Sequence, residues 1–239
     1  MEVWRSFCAR ENTVDQPSFI VPSSSTAQQV YDWLHDRILR GDLAPGARLS
    51  ETEIAGQVGV SRQPVREAFI RLTAAGLAEV RPQRGTFIGR ISVGAVLSAR
   101  LIREAVESDL IRMVSATTSP ALLAQLDHQL EAQREASARQ HVEDFIALDD
   151  QFHRSLAKAA GHADVWDVLE GLKSQMNRLR YITARVFDHQ KLLDQHTAIV
   201  EALREGHADR AEQAMRLHLR ELLTDLPEIA RNKPEFFTK

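Results

Sequence analysis

The sequence predicts a mainly α protein: an N-terminal winged helix-turn-helix followed by a C-terminal antiparallel all-α helical bundle. Two observations carry this. Residues 26–91 run in the order helix, short helix, glycine turn, helix, hairpin. Residues 92–230 repeat apolar side chains at helical spacing in six or seven segments, with no convincing strand. The domain reading is a flexible tail over 1–25, the winged unit over 26–91, the helical bundle over 92–230, and a tail over 231–239.

Each element has its local reason. Val21-Pro22-Ser23-Ser24-Ser25 has linker composition. The stretch from Thr26 to about Arg40 places Val30, Trp33, Leu34 and Ile38 on one helix face, and Gly41, Pro45 and Gly46 end it. Ser50 with Glu53 forms a capping box for a short helix whose apolar face is Ile54, Ala55 and Val58. Gly59 closes it, and Ser61 caps the next helix. Pro64 is tolerated there because the first turn has no intrahelical N–H bond to lose. Val65, Phe69 and Leu72 face its core, and Gly76 stops it. Leu77–Val80 and Thr86–Ile88 flank Arg81-Pro82-Gln83-Arg84-Gly85 as a two-stranded hairpin. In the bundle the periodic sets are Ile102, Val106, Leu110 and Met113; Leu123, Leu126 and Leu130; Phe145, Leu148, Phe152 and Leu156; Val165, Leu169, Leu172, Met176 and Leu179; and Leu192, Ile199 and Leu203. Gly89 and Gly94 would let the two parts reorient.

Composition narrows the class. The 239 residues include 44% hydrophobic and 26% charged side chains, values of a soluble globular chain. Cys8 is the single cysteine, so an intrachain disulfide or Cys-based zinc cluster is excluded, and a cytoplasmic setting is expected. No apolar run reaches the roughly 20 residues of a membrane span. The first residues carry no secretion-signal pattern. The net charge of −3 conceals a polarised chain. Residues 61–90 hold six arginines against two glutamates, a surplus of four, which leaves −7 on the remainder. A basic patch on an acidic chain suits a polyanion-binding module joined to a partner domain.

That patch coincides with a recognition helix. Such a helix enters the major groove N-terminus first, and Ser61, Arg62, Gln63 and Arg66 lie on the exposed side of its first turn and a half. Arginine forks match guanine O6 and N7. Arg84 and Gly85 form the wing tip, and Arg48 and Thr52 are placed to meet phosphates, which fix position without reading sequence. Aromatic residues are 6% of the chain and none decorates the basic segment. Duplex DNA is therefore favoured over RNA or single strands.

A second constellation sits in the bundle, which holds eight of the nine histidines. His196 and His218 occupy positions that the apolar period reserves for the core, His218 in the stripe of Ala211, Met215 and Leu222. Asp149 and His153 are four apart and share a helix face. An inward aspartate is costly unless paired or bound to a cation. Three imidazoles and one carboxylate suit one divalent ion of the zinc, nickel or manganese kind.

Several segments resemble a known family. Gly41 to Glu51, then Val60-Ser61-Arg62-Gln63-Pro64-Val65-Arg66-Glu67-Ala68, Gly76-Leu77 and Arg84-Gly85-Thr86-Phe87 are similar to the DNA-binding domain of GntR-family transcription regulators. The resemblance implies that the wing enters the minor groove. Gln63 stands where the family usually has a small hydroxyl residue. Leu148-Asp149-Asp150-Gln151-Phe152-His153, Gln195-His196-Thr197-Ala198-Ile199 and Ala214-Met215-Arg216-Leu217-His218-Leu219 resemble the signature segments of the FCD effector domain of FadR-type members. That likeness implies that Asp149, His153, His196 and His218 hold the metal, zinc first, and points away from a fatty-acyl effector. Arg103 and Glu107 resemble that domain's Arg-x-x-x-Glu segment. Arg103 is then either an effector ligand aimed into a cavity or half of an exposed i,i+4 ion pair. His162 replaces a frequent asparagine.

The implied function is a homodimeric, ligand-responsive regulator of double-stranded operator DNA, most often a repressor in this family, whose effector is a small carboxylate bound at the metal. The alternative is a metal-dependent hydrolase fused to a DNA-binding module. A structural, nucleoid-type DNA binder is a third reading.

Overall fold

The computed structural model of the protein describes residues 24–183 and 189–238; of Leu222, Leu223 and Asp225 it describes the backbone alone. Most of the expected N-terminal tail lies outside the described residues. The chain divides into two compact units. One comprises the residues up to Arg37 with Ala47–Gly89, the other Ile38–Gly46 with Arg90–Lys239.

The first unit is the winged helix-turn-helix. Helix α1 (Thr26–Arg40) buries Val30 and Leu34. Strand β1 (Arg48–Leu49) leads into α2 (Glu51–Val58), capped by Ser50, whose hydroxyl accepts from the N–H of Glu53 at 3.3 Å. Gly59 ends α2 in the left-handed region at φ 72°, a conformation natural to glycine. Helix α3 (Arg62–Ala74) buries Val65, Ala68, Phe69 and Leu72 and packs against α2. Ser61 holds the N-cap position, but its side chain makes no cap hydrogen bond.

The sheet has three strands, not the two read from the sequence. Strands β2 (Ala78–Arg81) and β3 (Gly85–Ile88) form the hairpin, and β1 pairs antiparallel with β3, Arg48 opposite Phe87. Gly89 closes the first unit. Its N–H donates to Leu77 O at 2.9 Å, and a Cβ there would stand 3.2 Å from Gly76 O. Close packing of backbone requires this glycine.

The second unit contains seven α-helices among the described residues: α4 (Val93–Thr117), α5 (Pro120–Ala138), α6 (Val142–Ala159), α7 (Ala163–Leu172), α8 (Ser174–Thr183), α9 (His189–Arg204) and α10 (Ala208–Asn232). Ser92 and Ser119 cap α4 and α5 through their hydroxyls. The core gathers Ile111 and Val114 of α4, Leu126 and Leu130 of α5, Phe152 and Leu156 of α6, Ile199 and Leu203 of α9, and Met215 and Leu219 of α10.

Two expectations are corrected. The apolar stripe proposed for α4 does not face the core throughout. Ile102 and Met113 are exposed, whereas Arg103, Glu104, Glu107 and Ser108 are buried. The three charged residues can enter because each is paired inside the unit: Glu104 takes bonds from Arg216 and Arg220, and Arg103 pairs with Glu107. The expected tail is packed over its described residues, 231–238. A short turn of 3₁₀ helix (Pro234–Phe236) follows α10. The N–H of Ile91 then donates to Phe236 O at 2.7 Å, the N–H of Thr238 donates to Ile91 O at 2.9 Å, and Phe237 is buried.

Candidate functional site

On the first unit, α3 presents Arg62, Gln63 and Arg66 as exposed side chains, with Ser61 exposed ahead of them. Thr52 is exposed in the first turn of α2, and Arg84 and Gly85 are exposed at the wing. Gly85 lies at φ 105°, and a Cβ there would meet Arg48 Nε at 3.4 Å, so the glycine accommodates the Arg48 side chain. Two of these groups are already engaged. Arg66 donates from Nε and Nη2 to the two carboxylate oxygens of Glu51, both at 2.9 Å. Gln63 Nε2 donates to Glu67 Oε1 at 3.0 Å.

In the second unit the four side chains singled out on α6, α9 and α10 converge. Asp149, His153, His196 and His218 are all buried, and each offers one ligand atom within 4.8 Å of the others. His153 Nε2 lies 3.0 Å from His218 Nε2, which lies 3.3 Å from His196 Nε2; His196 Nε2 is 3.5 Å from Asp149 Oδ1.

The outward nitrogens decide what the inward ones are. His196 Nδ1 is 2.8 Å from Gln133 Oε1, and His218 Nδ1 is 3.2 Å from Gln195 Oε1. Both amides are oriented by their own donations, Gln133 Nε2 to Leu148 O and Gln195 Nε2 to Glu221 Oε2. Glu107 Oε2 stands 2.5 Å from His153 Nδ1. Every outward nitrogen therefore has an oxygen acceptor near it, in hydrogen-bond geometry for His196 and His218 and at ion-pair distance for His153, which favours the proton on the outward side. The three Nε2 lone pairs face one another, an arrangement that calls for a shared cation. Tetrahedral ligands ~2.0–2.1 Å from an ion stand ~3.3 Å apart; the three separations above lie close to that spacing, and the whole set falls within 4.8 Å, so the cluster could hold a divalent ion.

Electrostatics agree. Burial lowers His196 to about 3 against the opposing pull of Asp149. Burial, reinforced by the neighbouring imidazoles, also holds His218 well below its ordinary value. Both are neutral at pH 7, as metal ligands must be. Burial opposes ionisation of Asp149, but Arg180 and the imidazoles outweigh it and keep the carboxyl well below the usual range. Glu107 is held at about 2 in the same way: burial is outweighed by Arg103 and His153.

Arg103 combines parts of both expected placements. It pairs with Glu107 (Nε to Oε1, 2.5 Å), but the pair is buried, and through Glu107 it orients His153. It also lines a cleft beside the cluster. The cleft encloses roughly 650 Å³, open solvent at its mouth included, and reaches Asp149 and His218. Apolar Phe145, Met176 and Leu219 form much of its wall, and Arg100, Arg103 and Arg180 supply positive charge. His162 is exposed at the N-cap of α7 and takes no place in the cleft wall. His189 does, stacked 4.3 Å from Phe145.

Sequence reasoning missed Arg180, which bonds Asp149 and reaches Asp150 Oδ1 at 2.9 Å. It also missed fully buried Lys173, whose Nζ is 2.8 Å from the same Asp150 oxygen and 4.2 Å from the Trp166 ring. Gln133 and Gln195 escaped as well. The available signal was Gln133 itself, a polar residue in the buried phase of Leu126 and Leu130.

Comparison with known proteins accounts for both units. Residues 26–88 match the bacterial regulatory proteins of the gntR family, and residues 99–221 match the FCD domain. The HTH-type transcriptional repressor RspR of Escherichia coli K12 is 37% identical over 222 residues, covering 91% of this chain and 96% of its own. A relative in Paenarthrobacter nicotinovorans, named as a probable repressor of a D-xylose utilization operon, is 30% identical over 206 residues, covering 86% and 91%. Among solved structures, E. coli McbR/YncC shares the fold at a TM-score of 0.71 and 20% identity, covering 86% of this chain and 99% of that one. The relatives are transcription regulators, not enzymes, which displaces the hydrolase alternative. The chain belongs to the GntR family of bacterial DNA-binding transcription regulators, in the branch that carries an FCD domain after the winged unit.

Proposed function

We propose that the protein is a cytoplasmic homodimeric repressor. Its affinity for double-stranded operator DNA changes when a small carboxylate binds beside one divalent metal ion per chain. Asp149, His153, His196 and His218 hold the ion, zinc before nickel or manganese. The observation that carries this is the set of three imidazoles whose Nδ1 atoms each stand near an oxygen acceptor while their Nε2 atoms face one another, next to an arginine-lined cleft. When bound, the ion supplies a Lewis-acid anchor for one ligand oxygen. Arg103, with Arg100 and Arg180 on the same wall, supplies the guanidinium partners for a carboxylate.

Arg62, Gln63 and Arg66 read bases, with Ser61 beside them. Arg48 and Thr52 meet phosphates, and Arg84 and Gly85 form the wing contact. A dimer sets two such helices about one DNA turn apart on a near-palindromic site. Exposed Leu97 and Leu101 of α4 and Leu217 of α10 offer apolar surface for the second copy. Among the described residues no helix is long and apolar enough to cross a membrane.

The test is a thermal-shift screen of small mono- and dicarboxylates, with and without chelator, joined to metal analysis of the dialysed protein and of His196→Ala. About one ion per chain in the wild type, lost in the variant, with a carboxylate shift that chelation abolishes, supports the reading. Negligible metal in both proteins ends it.

A further inference from the structure

We propose that Glu51 sets the specificity of base reading by holding the Arg66 guanidinium side-on, so that its remaining edge is presented to a guanine at a fixed angle. This rests on Arg66 being a base contact. Glu51 opens α2 and Arg66 is the fifth residue of α3, so the pair bridges the two helices of the DNA-binding motif. Both bonds are 2.9 Å and use the Nε and Nη2 hydrogens. Arginine has five such hydrogens. The side-on pair consumes two and leaves the Nη1 pair and one on Nη2. That outer edge is the two-pronged donor that guanine O6 and N7 accept.

The geometry is open to DNA: the Arg66 side chain is 56% exposed, and Glu51 29%. Hydrogen bonding by Arg66 draws the Glu51 carboxyl below its ordinary range, so it stays charged at neutral pH. An exposed ion pair stabilises a fold little. A two-point clamp, however, removes rotamers that a flexible arginine would otherwise lose on binding. It also brings a negative charge near the phosphates, which weakens contacts with any duplex. The clamp then favours only DNA with the matching guanine, raising the ratio of operator to non-operator affinity.

The experiment uses the full-length protein and a duplex selected by it from a random library. Guanines in that duplex are replaced singly by 7-deazaguanine, which lacks N7. In the wild type one guanine per half-site is expected to be sensitive, with about tenfold weaker binding, and Arg66→Ala should lose that sensitivity. Sensitivity unchanged in Arg66→Ala overturns the reading of Arg66 itself. Glu51→Gln is expected to bind the operator about tenfold more weakly, to bind scrambled duplex as well or better, and to show reduced sensitivity at the same guanine. Glu51→Asp keeps the charge but is one methylene too short for the side-on pair, and should show the same reduced ratio. It also serves if Glu51→Gln does not fold. A wild-type ratio in a folded Glu51 variant, with Arg66→Ala behaving as expected, overturns the role of Glu51 alone. A lower melting temperature with unchanged guanine sensitivity likewise overturns it, leaving a brace between helices.

Discussion

Gln133→Leu isolates the hydrogen bond that leaves His196 Nε2 free to face the cluster. Gln133 is completely buried, accepts from His196 Nδ1 at 2.8 Å and donates to Leu148 O at 3.2 Å. Leucine nearly matches its volume but offers no oxygen. The imidazole proton then either stays unpaired, costing ~1–3 kcal/mol, or moves to Nε2 and removes the lone pair facing His153 and His218. Loss of such an orienting partner weakens metal affinity ~10–100-fold. At a zinc concentration ~100 times the wild-type Kd, zinc adds ~2.7 kcal/mol of stability; the weakened site would gain only ~0.4–1.4 kcal/mol. Competition against a chromogenic zinc chelator reads the affinity, and circular dichroism checks the fold. Gln133→Glu keeps the acceptor and should retain far more affinity. A folded Gln133→Leu protein with wild-type zinc affinity would refute the argument that these outward bonds set the tautomers.

Three further outcomes are expected. Arg62→Ala and Arg66→Ala should each cost ~1–3 kcal/mol of specific DNA binding in gel-shift titrations; unchanged affinity in both contradicts the assignment of α3 as the reading helix. Glu104→Gln should lower stability at pH 7 by about 1–2 kcal/mol in denaturant titrations, since buried Glu104 takes bonds from Arg216 and Arg220. Hydrogen bonding by Arg220, first among the causes, lowers its carboxyl in the folded state. The stabilisation is therefore complete above the unfolded carboxylate value and disappears as pH falls through the lower folded value. The gap between variant and wild type should close in acid, and a gap independent of pH defeats this account. Gly89→Ala forces a methyl toward Gly76 O at 3.2 Å and Leu77 O at 3.4 Å. It should destabilise the winged unit by ~1–3 kcal/mol, visible as faster amide exchange in β2 and β3; wild-type exchange rates would show that the backbone yields freely.

The winged unit was legible because punctuation residues mark it: Ser50 caps α2, Gly59 and Gly76 stop helices, and Gly85 ends the hairpin turn. β1 was not, since two residues make no pattern and Arg48 becomes a strand residue only by pairing with Phe87. In the bundle, helical phase sufficed to bring Asp149, His153, His196 and His218 together on paper, and the structure gathers them. The same rule misread α4. It assumes that polar residues face outward, and Arg103, Glu104 and Glu107 violate it because their partners lie within the unit. Arg180 and Gln195 act through residues on other helices, a relation that sequence spacing does not encode. At the C-terminal end, two adjacent phenylalanines were a signal for packing that composition alone obscured.

Six charges chained to the cluster cancel among themselves. Arg103, Lys173 and Arg180 oppose Glu107, Asp149 and Asp150, three against three, linked in chains that run to His153 and, through Arg180, to Asp149. A dication entering this balanced interior would leave two positive charges without a counterpart in a region that solvates ions poorly. Neutrality is restored most directly by a dianion, so cation and metabolite would stabilise each other's occupancy. The regulator would then behave as a coincidence detector, responding to an acid only when the metal supply is adequate.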